Sequence, residues 1–192
     1  RIHQGIQRRE RQREHLRPIL RSFDPTGTTA DVDFDTIKET YLTTKSHVNR
    51  VAQDSGWEGQ IAAKLDSMPE VFCYVKNDRL GFQIPYSIGF KERNYIPDFI
   101  VKIDDGRGPE DLLNLVIEVS GERRSDKQAK VAAAESLWVP AVNNLGSYGR
   151  WAFIELNNPE TAKQEIYQFL KYGETRPIMI ALFDDDLEQS NG

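Results

Sequence analysis

The sequence predicts a mixed α/β domain in which helices flank a mixed sheet. Three observations carry that prediction. Residues 95–103 and 113–120 are rich in β-branched and apolar side chains and read as strands. The stretch between them, DDGRGPED at 104–111, is dense in turn formers, so the pair makes a hairpin with a long loop. Around the pair lie segments with helical apolar spacing and start and stop signals, in the order helix, strands, helix, strand, helix. That order lets helices cover both faces of the sheet.

In chain order, residues 5–16 read as a polar, charged helix or linker. Residues 23–27 (FDPTG) form a turn, and 28–45 are Thr- and Asp-rich and irregular, with a short strand near Val32. Residues 46–53 fit either a helix or a strand. A helix over 56–67 opens at Ser55, which with Glu58 makes a capping box. Ile61, Ala62 and Leu65 give it an apolar stripe, and Pro69 ends it. Strands follow at 71–76 and 81–86. Beyond the hairpin, Ser125 and Gln128 form a second capping box for a helix over 126–138, which Pro140 stops. Residues 151–156 are a strand. Asn158-Pro159 starts the last helix, with Ala162, Ile166, Phe169 and Leu170 on its buried face and Gly173 as its stop. An edge strand is expected at 177–183. The layout divides the chain into a basic helical extension or linker (1–22), one α/β domain (23–183) and an acidic disordered tail (184–192).

A chain of 192 residues is long enough to bury a core. No apolar run approaches 18 residues, which argues against a membrane span, and no signal peptide is visible, so a cytoplasmic location is expected. The sequence begins without Met, as a fragment would. The single cysteine, Cys73, excludes an internal disulfide and any multi-cysteine zinc site; its apolar neighbours make it an expected core thiol. The net charge of −5 does not advertise a nucleic-acid binder, but it is unevenly spread. Residues 1–22 hold seven Arg against Glu10 and Glu14, a local +5, and the remainder carries −10. Contact with DNA therefore needs local basic patches. His3, His15 and His47 lack metal-ligand spacing, no Gly-rich phosphate loop with Lys is present, and no Ser–His–Asp grouping is evident.

The chemistry concentrates on the hairpin. With its centre near Gly108, antiparallel register puts Asp98 opposite Glu118. Directly opposed side chains lie about 5 Å apart at Cβ, and like charges there repel unless a cation or a shared proton intervenes. Solvated strand-end acids are the plain alternative. A hard divalent cation such as Mg²⁺ suits two carboxylates and keeps several waters.

Pro97-Asp98 followed by Glu118-Val119-Ser120 resembles the PD-(D/E)xK motif of metal-dependent nucleases, except at its last position. KSHVN (45–49), SGWE (55–58), VKN (75–77), LGFQIPY (80–86), WVP (138–140), VNNLG (142–146) and GRWAF (149–153) extend the likeness over about residues 20–172. Together they resemble the C-terminal endonuclease region of type III restriction enzyme restriction subunits. The resemblance implies a restriction-endonuclease-like αβββαβ core and Mg²⁺-dependent hydrolysis of double-stranded DNA. It also implies an upstream ATP-dependent helicase, absent from this chain, and a partner methyltransferase that reads sequence. Asp98 and Glu118, with the Val119 carbonyl, would hold the metal. Glu58 matches an acid that joins the metal site in many such nucleases, which competes with its capping role.

The family pattern has Lys where this chain has Ser120. By the period of two, Ser120 shares a sheet face with Glu118, but it supplies no positive charge. Three readings follow. A cation from elsewhere fills the gap, with Arg123, Lys127 and Lys130 just downstream; or the domain binds DNA or a partner protein without cutting; or the Ser is an introduced change. Arg123, Arg124, Lys127 and Lys130 also make a basic cluster suited to phosphate contact, or simply a solvated face.

Overall fold

The computed structural model describes residue 18 and residues 27–88, 90–120 and 126–173. Its core is a four-stranded mixed sheet in the order β3 (Val71–Lys76), β6 (Phe99–Ile103), β7 (Leu113–Val119), β8 (Arg150–Leu156). The first two pairings are antiparallel and β7–β8 is parallel. Helix α1 (Gly56–Ser67) precedes the sheet. The parallel crossover is helical: α2 (Lys127–Ala133), a π turn (Ala134–Trp138) and α3 (Val139–Leu145), and α4 (Ala162–Tyr172) follows β8. Two small antiparallel pairs complete the fold, β1 (Thr40–Leu42) with β2 (Arg50–Ala52) and β4 (Ile84–Ile88) with β5 (Lys91–Tyr95). With those pairs set aside, the order is the expected αβββαβ.

Leu113 to Ile117 in β7 are all buried, because this strand is covered on both faces. On one face, Ile61, Leu65 and Met68 at α1 and Ile166 of α4 pack against Val101, Leu115, Ile117 and Ile154. On the other, Ala133 and Ala134 of the crossover helix join Val116, Phe153 and the hairpin residues Ile84, Tyr86 and Tyr95. Small residues at 133 and 134 let the helix approach the sheet closely. Each large side chain buried this way is worth about 1.5–3 kcal/mol.

The hairpin register is the expected one. Ile103 pairs with Leu113 and Phe99 with Ile117, so the loop is centred on Gly108, where φ is +86°. Arg150 ties this loop to β8 through paired contacts of 2.7 Å to both Asp105 carboxylate oxygens, and a third of 2.9 Å to Asp111.

Several expectations need correction. The strand over 95–103 is broken: β5 ends at Tyr95 and β6 begins at Phe99, because Pro97 offers no N–H to a ladder. The strand over 81–86 begins only at Ile84 and pairs with β5 in a hairpin of its own. No strand forms near Val32; among the described residues the first is β1, and 46–53 yields strand β2. Ser55 caps α1 without a side-chain hydrogen bond, and Glu58 returns instead to the Asp54 N–H at 2.6 Å. Pro140 does not stop the crossover helix, which continues to Leu145. The π turn just before it changes the backbone bonding where the proline lacks an N–H and would crowd a regular helix. Cys73 is half-buried rather than a core thiol, since its strand is at the sheet edge beside a bulge. Helix α4 starts at Ala162, after a turn in which Asn158 accepts the Glu160 N–H at 2.9 Å, and Gly173 ends it with φ +74°. The expectations for 5–16, 23–26, 177–183 and the tail, along with Ser125, lie outside the described residues.

Candidate active site

Asp98 sits in the short link between β5 and β6. Its own N–H donates to the Ile117 carbonyl at 3.1 Å, and its Oδ2 accepts the Val119 N–H at 2.7 Å. The carboxylate is thus clamped across the end of β7. Asn77, just after β3, holds this link from below. It donates through Nδ2 to the Pro97 carbonyl at 2.9 Å and to the Phe82 carbonyl at 2.8 Å, and its N–H bonds the Asp98 carbonyl at 2.8 Å. A buried asparagine bonded this way fixes the position of the neighbouring acid.

Burial pushes the Asp98 carboxyl up to about 6, and the negative charges of Glu58 and Asp54 add to that rise. The Val119 N–H and the nearby Lys76 ammonium oppose it. Glu58 and Lys76 belong to one buried cluster. Lys76, 7 % exposed, contacts Glu58 Oε2 at 2.9 Å and Asp54 Oδ2 at 2.8 Å and donates to the Ala52 carbonyl at 2.7 Å. Burial alone would lower the Lys76 pKa, but Asp54 and Glu58 outweigh it, so the lysine stays charged. Three acceptors match its three protons.

Glu118 and Ser120 lie at the exit of β7, both half-buried. Glu118 is registered beside Glu155 of β8, and the Ser120 N–H donates to the Leu156 carbonyl at 2.9 Å. Alternation therefore turns the Val119 N–H and carbonyl toward the Asp98 side. Lys127 reaches the same edge, contacting Glu155 Oε1 at 3.0 Å and Asn157 Oδ1 at 2.8 Å. Lys130 pairs with Asp126 at 3.4 Å and lies 5.9 Å from the ring centres of Tyr86 and Tyr95. Arg123 and Arg124 lie outside the described residues. Asn143 grips β8, with its amide bonding both the N–H and the carbonyl of Trp151 at 2.8 Å, so it fastens helix to strand rather than lining a cleft.

The structure thus gathers Asp98, Glu58, Lys76 and Asp54 around one end of the β6–β7 pair. Glu118, Ser120 and the Val119 carbonyl are on β7, and Lys127 stands beside Glu155. Sequence reasoning missed Lys76, Asp54 and Asn77. The VKN segment was visible, but a lysine in a strand gives no sign that it will be buried against two acids from another element. Among the described residues, no group of three or more His, Cys, Asp or Glu side chains is gathered closely enough to hold a metal by itself. A donor set of two carboxylates and a carbonyl, all oxygen, nevertheless matches a hard cation that retains waters. A bound cation would offset both the burial that chiefly raises Asp98 and the smaller contributions of Glu58 and Asp54.

A mixed αβββαβ sheet with an acid at the start of one central strand and another at the end of its neighbour defines a restriction-endonuclease-like domain. A model of the endonuclease domain family matches residues 44–142, just over half of the chain, from before β2 into α3. The chain belongs to that endonuclease domain family, and membership points to nuclease function. No curated protein and no solved structure matches the chain. Among the described residues, no helix is long and apolar enough to cross a membrane.

Proposed function

We propose that this chain is the nuclease module of a type III restriction system, hydrolysing phosphodiester bonds of double-stranded DNA with Mg²⁺. The observation that supports the reading is Asp98, a half-buried carboxylate whose Oδ2 accepts the Val119 N–H at the end of β7, the residue next to Glu118. Asp98, Glu118 and the Val119 carbonyl would hold the ion, which when bound would supply a Lewis acid for the phosphate and a more acidic water. The chain's own residues do the rest. Asn77 and the Val119 N–H fix Asp98. Lys76 holds the Glu58 carboxylate in place. Ser120 occupies the place of the usual lysine and offers only a hydroxyl. Lys127, drawn to the edge by Glu155, is the described cation of the downstream cluster best placed to compensate, and Lys130 is held farther back by Asp126. The ATP-driven helicase and the methyltransferase partner belong to the same proposal and lie outside this chain.

Ser120 favours a second reading, a nuclease fold that binds DNA or a partner protein without cutting. Metal-dependent cleavage is required by the first reading and forbidden by the second. The metal itself is tested by calorimetric titration of Mg²⁺ or Mn²⁺. Asp98→Asn and Glu118→Gln should each weaken binding at least tenfold, and equal affinities in all three proteins would refute the site. Neutralising Arg124, Lys127 and Lys130 together should weaken DNA binding alike on unrelated sequences. It should also reduce the salt slope by about 0.9 for each phosphate that is no longer neutralised. An unchanged slope would mean that these cations do not touch the DNA backbone.

A further inference from the structure

Tyr95 is the last residue of β5, three positions before Asp98, and it is 4 % exposed. Its ring is wedged among Ile84, Val116, Ala133, Ala134 and Phe153, and meets Tyr86 edge-on at 6.3 Å. That packing fixes where the hydroxyl points. The hydroxyl is buried and has no hydrogen-bond partner among the described residues. Tyrosine hydroxyls in protein interiors normally find a partner, because leaving one unmade costs about 1–3 kcal/mol. A ring kept only to fill space would serve as well as phenylalanine.

The surroundings say what the hydroxyl is for. Tyr95 packs on the sheet face that carries Val116 and Phe153, and the period of two puts Glu118 and Glu155, two residues further along those strands, on the same face. Burial first, and then the charges of Glu118, Asp98, Glu155 and Glu135, raise the pKa of the hydroxyl. The phenol therefore keeps its proton and offers it as a hydrogen-bond donor. Against such a wall of carboxylates an unpaired phosphate oxygen is repelled, whereas a water is not. Water accepts one bond from the phenol and donates its own protons to carboxylate oxygens.

We propose that Tyr95 is a positioning residue of the nuclease site, donating a hydrogen bond to a water held between its hydroxyl and the carboxylates of Glu118 and Asp98. This inference rests on the nuclease reading above. It gives the site a fixed donor on the side of the sheet where Ser120 offers no charge. The donor comes from the small β4–β5 hairpin, so that insertion contributes to the site as well as to the core.

The test is Tyr95→Phe, made in the parent chain and in Ser120→Lys, and it has two readouts. In metal-free protein, thermal unfolding of Tyr95→Phe should stay within a few degrees of the parent, since the hydroxyl that is removed bonds a water and no protein group. In plasmid nicking with Mg²⁺, kcat should fall at least tenfold in the Ser120→Lys background while KM stays within twofold. Unchanged kcat overturns the role of Tyr95. A fall in melting temperature of about ten degrees or more also overturns it, because the hydroxyl would then be bonded to the fold itself rather than to a water. If Ser120→Lys with Tyr95 intact does not cut, the nuclease reading itself falls, a result distinct from a Tyr95→Phe protein that cuts as fast as its parent.

Discussion

Asp98 is held in its place in the fold at the expense of stability. Its folded pKa, pushed up to about 6 by burial and the nearby acids, lies above the roughly 3.9 of an unfolded chain. The folded state therefore binds the proton more tightly, and stability falls as pH rises from about 4 to about 6, then levels off. Asp98→Asn removes this titration while keeping an oxygen for the Val119 N–H. The variant should match the parent near pH 4 and exceed it by about 3 kcal/mol at pH 7.5, as measured by urea unfolding across that range. A variant less stable than the parent at pH 7.5 would show that the carboxylate is instead stabilised by its surroundings. Residue by residue, the hairpin register from Phe99–Ile117 to Ile103–Leu113 was legible because it follows from the loop centre. The Lys76–Glu58–Asp54 cluster was not, since it joins β3, α1 and the residue two before α1, and nothing local encodes that meeting. Arg123 and Arg124, whose charge is plain in sequence, lie outside the described residues.

At the scale of elements, the site depends on the break between β5 and β6. Pro97 makes the break, and Asn77 secures it from the neighbouring strand end with one side-chain bond to Pro97 and one backbone bond to Asp98, while its other side-chain bond reaches Phe82. Asn77→Ala would leave the Phe82 and Pro97 carbonyls without that donor. Chemical unfolding should show a loss of about 2–4 kcal/mol. Metal affinity should fall with it, even though Asn77 is not a proposed ligand. A loss below about 0.5 kcal/mol, less than one ordinary hydrogen bond, would mean that the break holds without Asn77. The long, strongly patterned elements, α1, β3, β7, β8 and α4, were readable from period and caps. The errors came where two signals competed. Pro97 and Pro85 sit in a strand-like run, yet only Pro97 ends one; Pro85 sits inside β4, in a hairpin apart from the central sheet. Pro140 read as a stop, yet the π turn ahead of it lets the helix run on. Capping at Ser55 failed at the level of the hydroxyl because Glu58 is pulled toward Lys76 and the Asp54 amide.

Across the whole molecule, the sheet brings together the N-terminal start of β6 and the C-terminal exits of β7 and β8. The hairpin β4–β5 and the start of α2 stand on one face of that edge, and Glu58 and Lys76 belong to the elements on the other. The acidic balance of the chain, −5 overall, leaves DNA contact to local cations near this edge. Whether this edge is a metal-dependent cleavage site lacking its usual lysine is decided by one assay above others. It is the nicking of supercoiled plasmid in Mg²⁺ by the parent chain, Ser120→Lys, and Ser120→Lys combined with Asp98→Asn. A positioned charged group is commonly worth on the order of 10²–10³ in rate. Slow cleavage by the parent chain is expected, with a gain of that order in Ser120→Lys and its loss in the double variant and in EDTA. A Ser120→Lys protein that binds metal and DNA yet never cuts, or one whose cutting survives Asp98→Asn, would contradict this assignment.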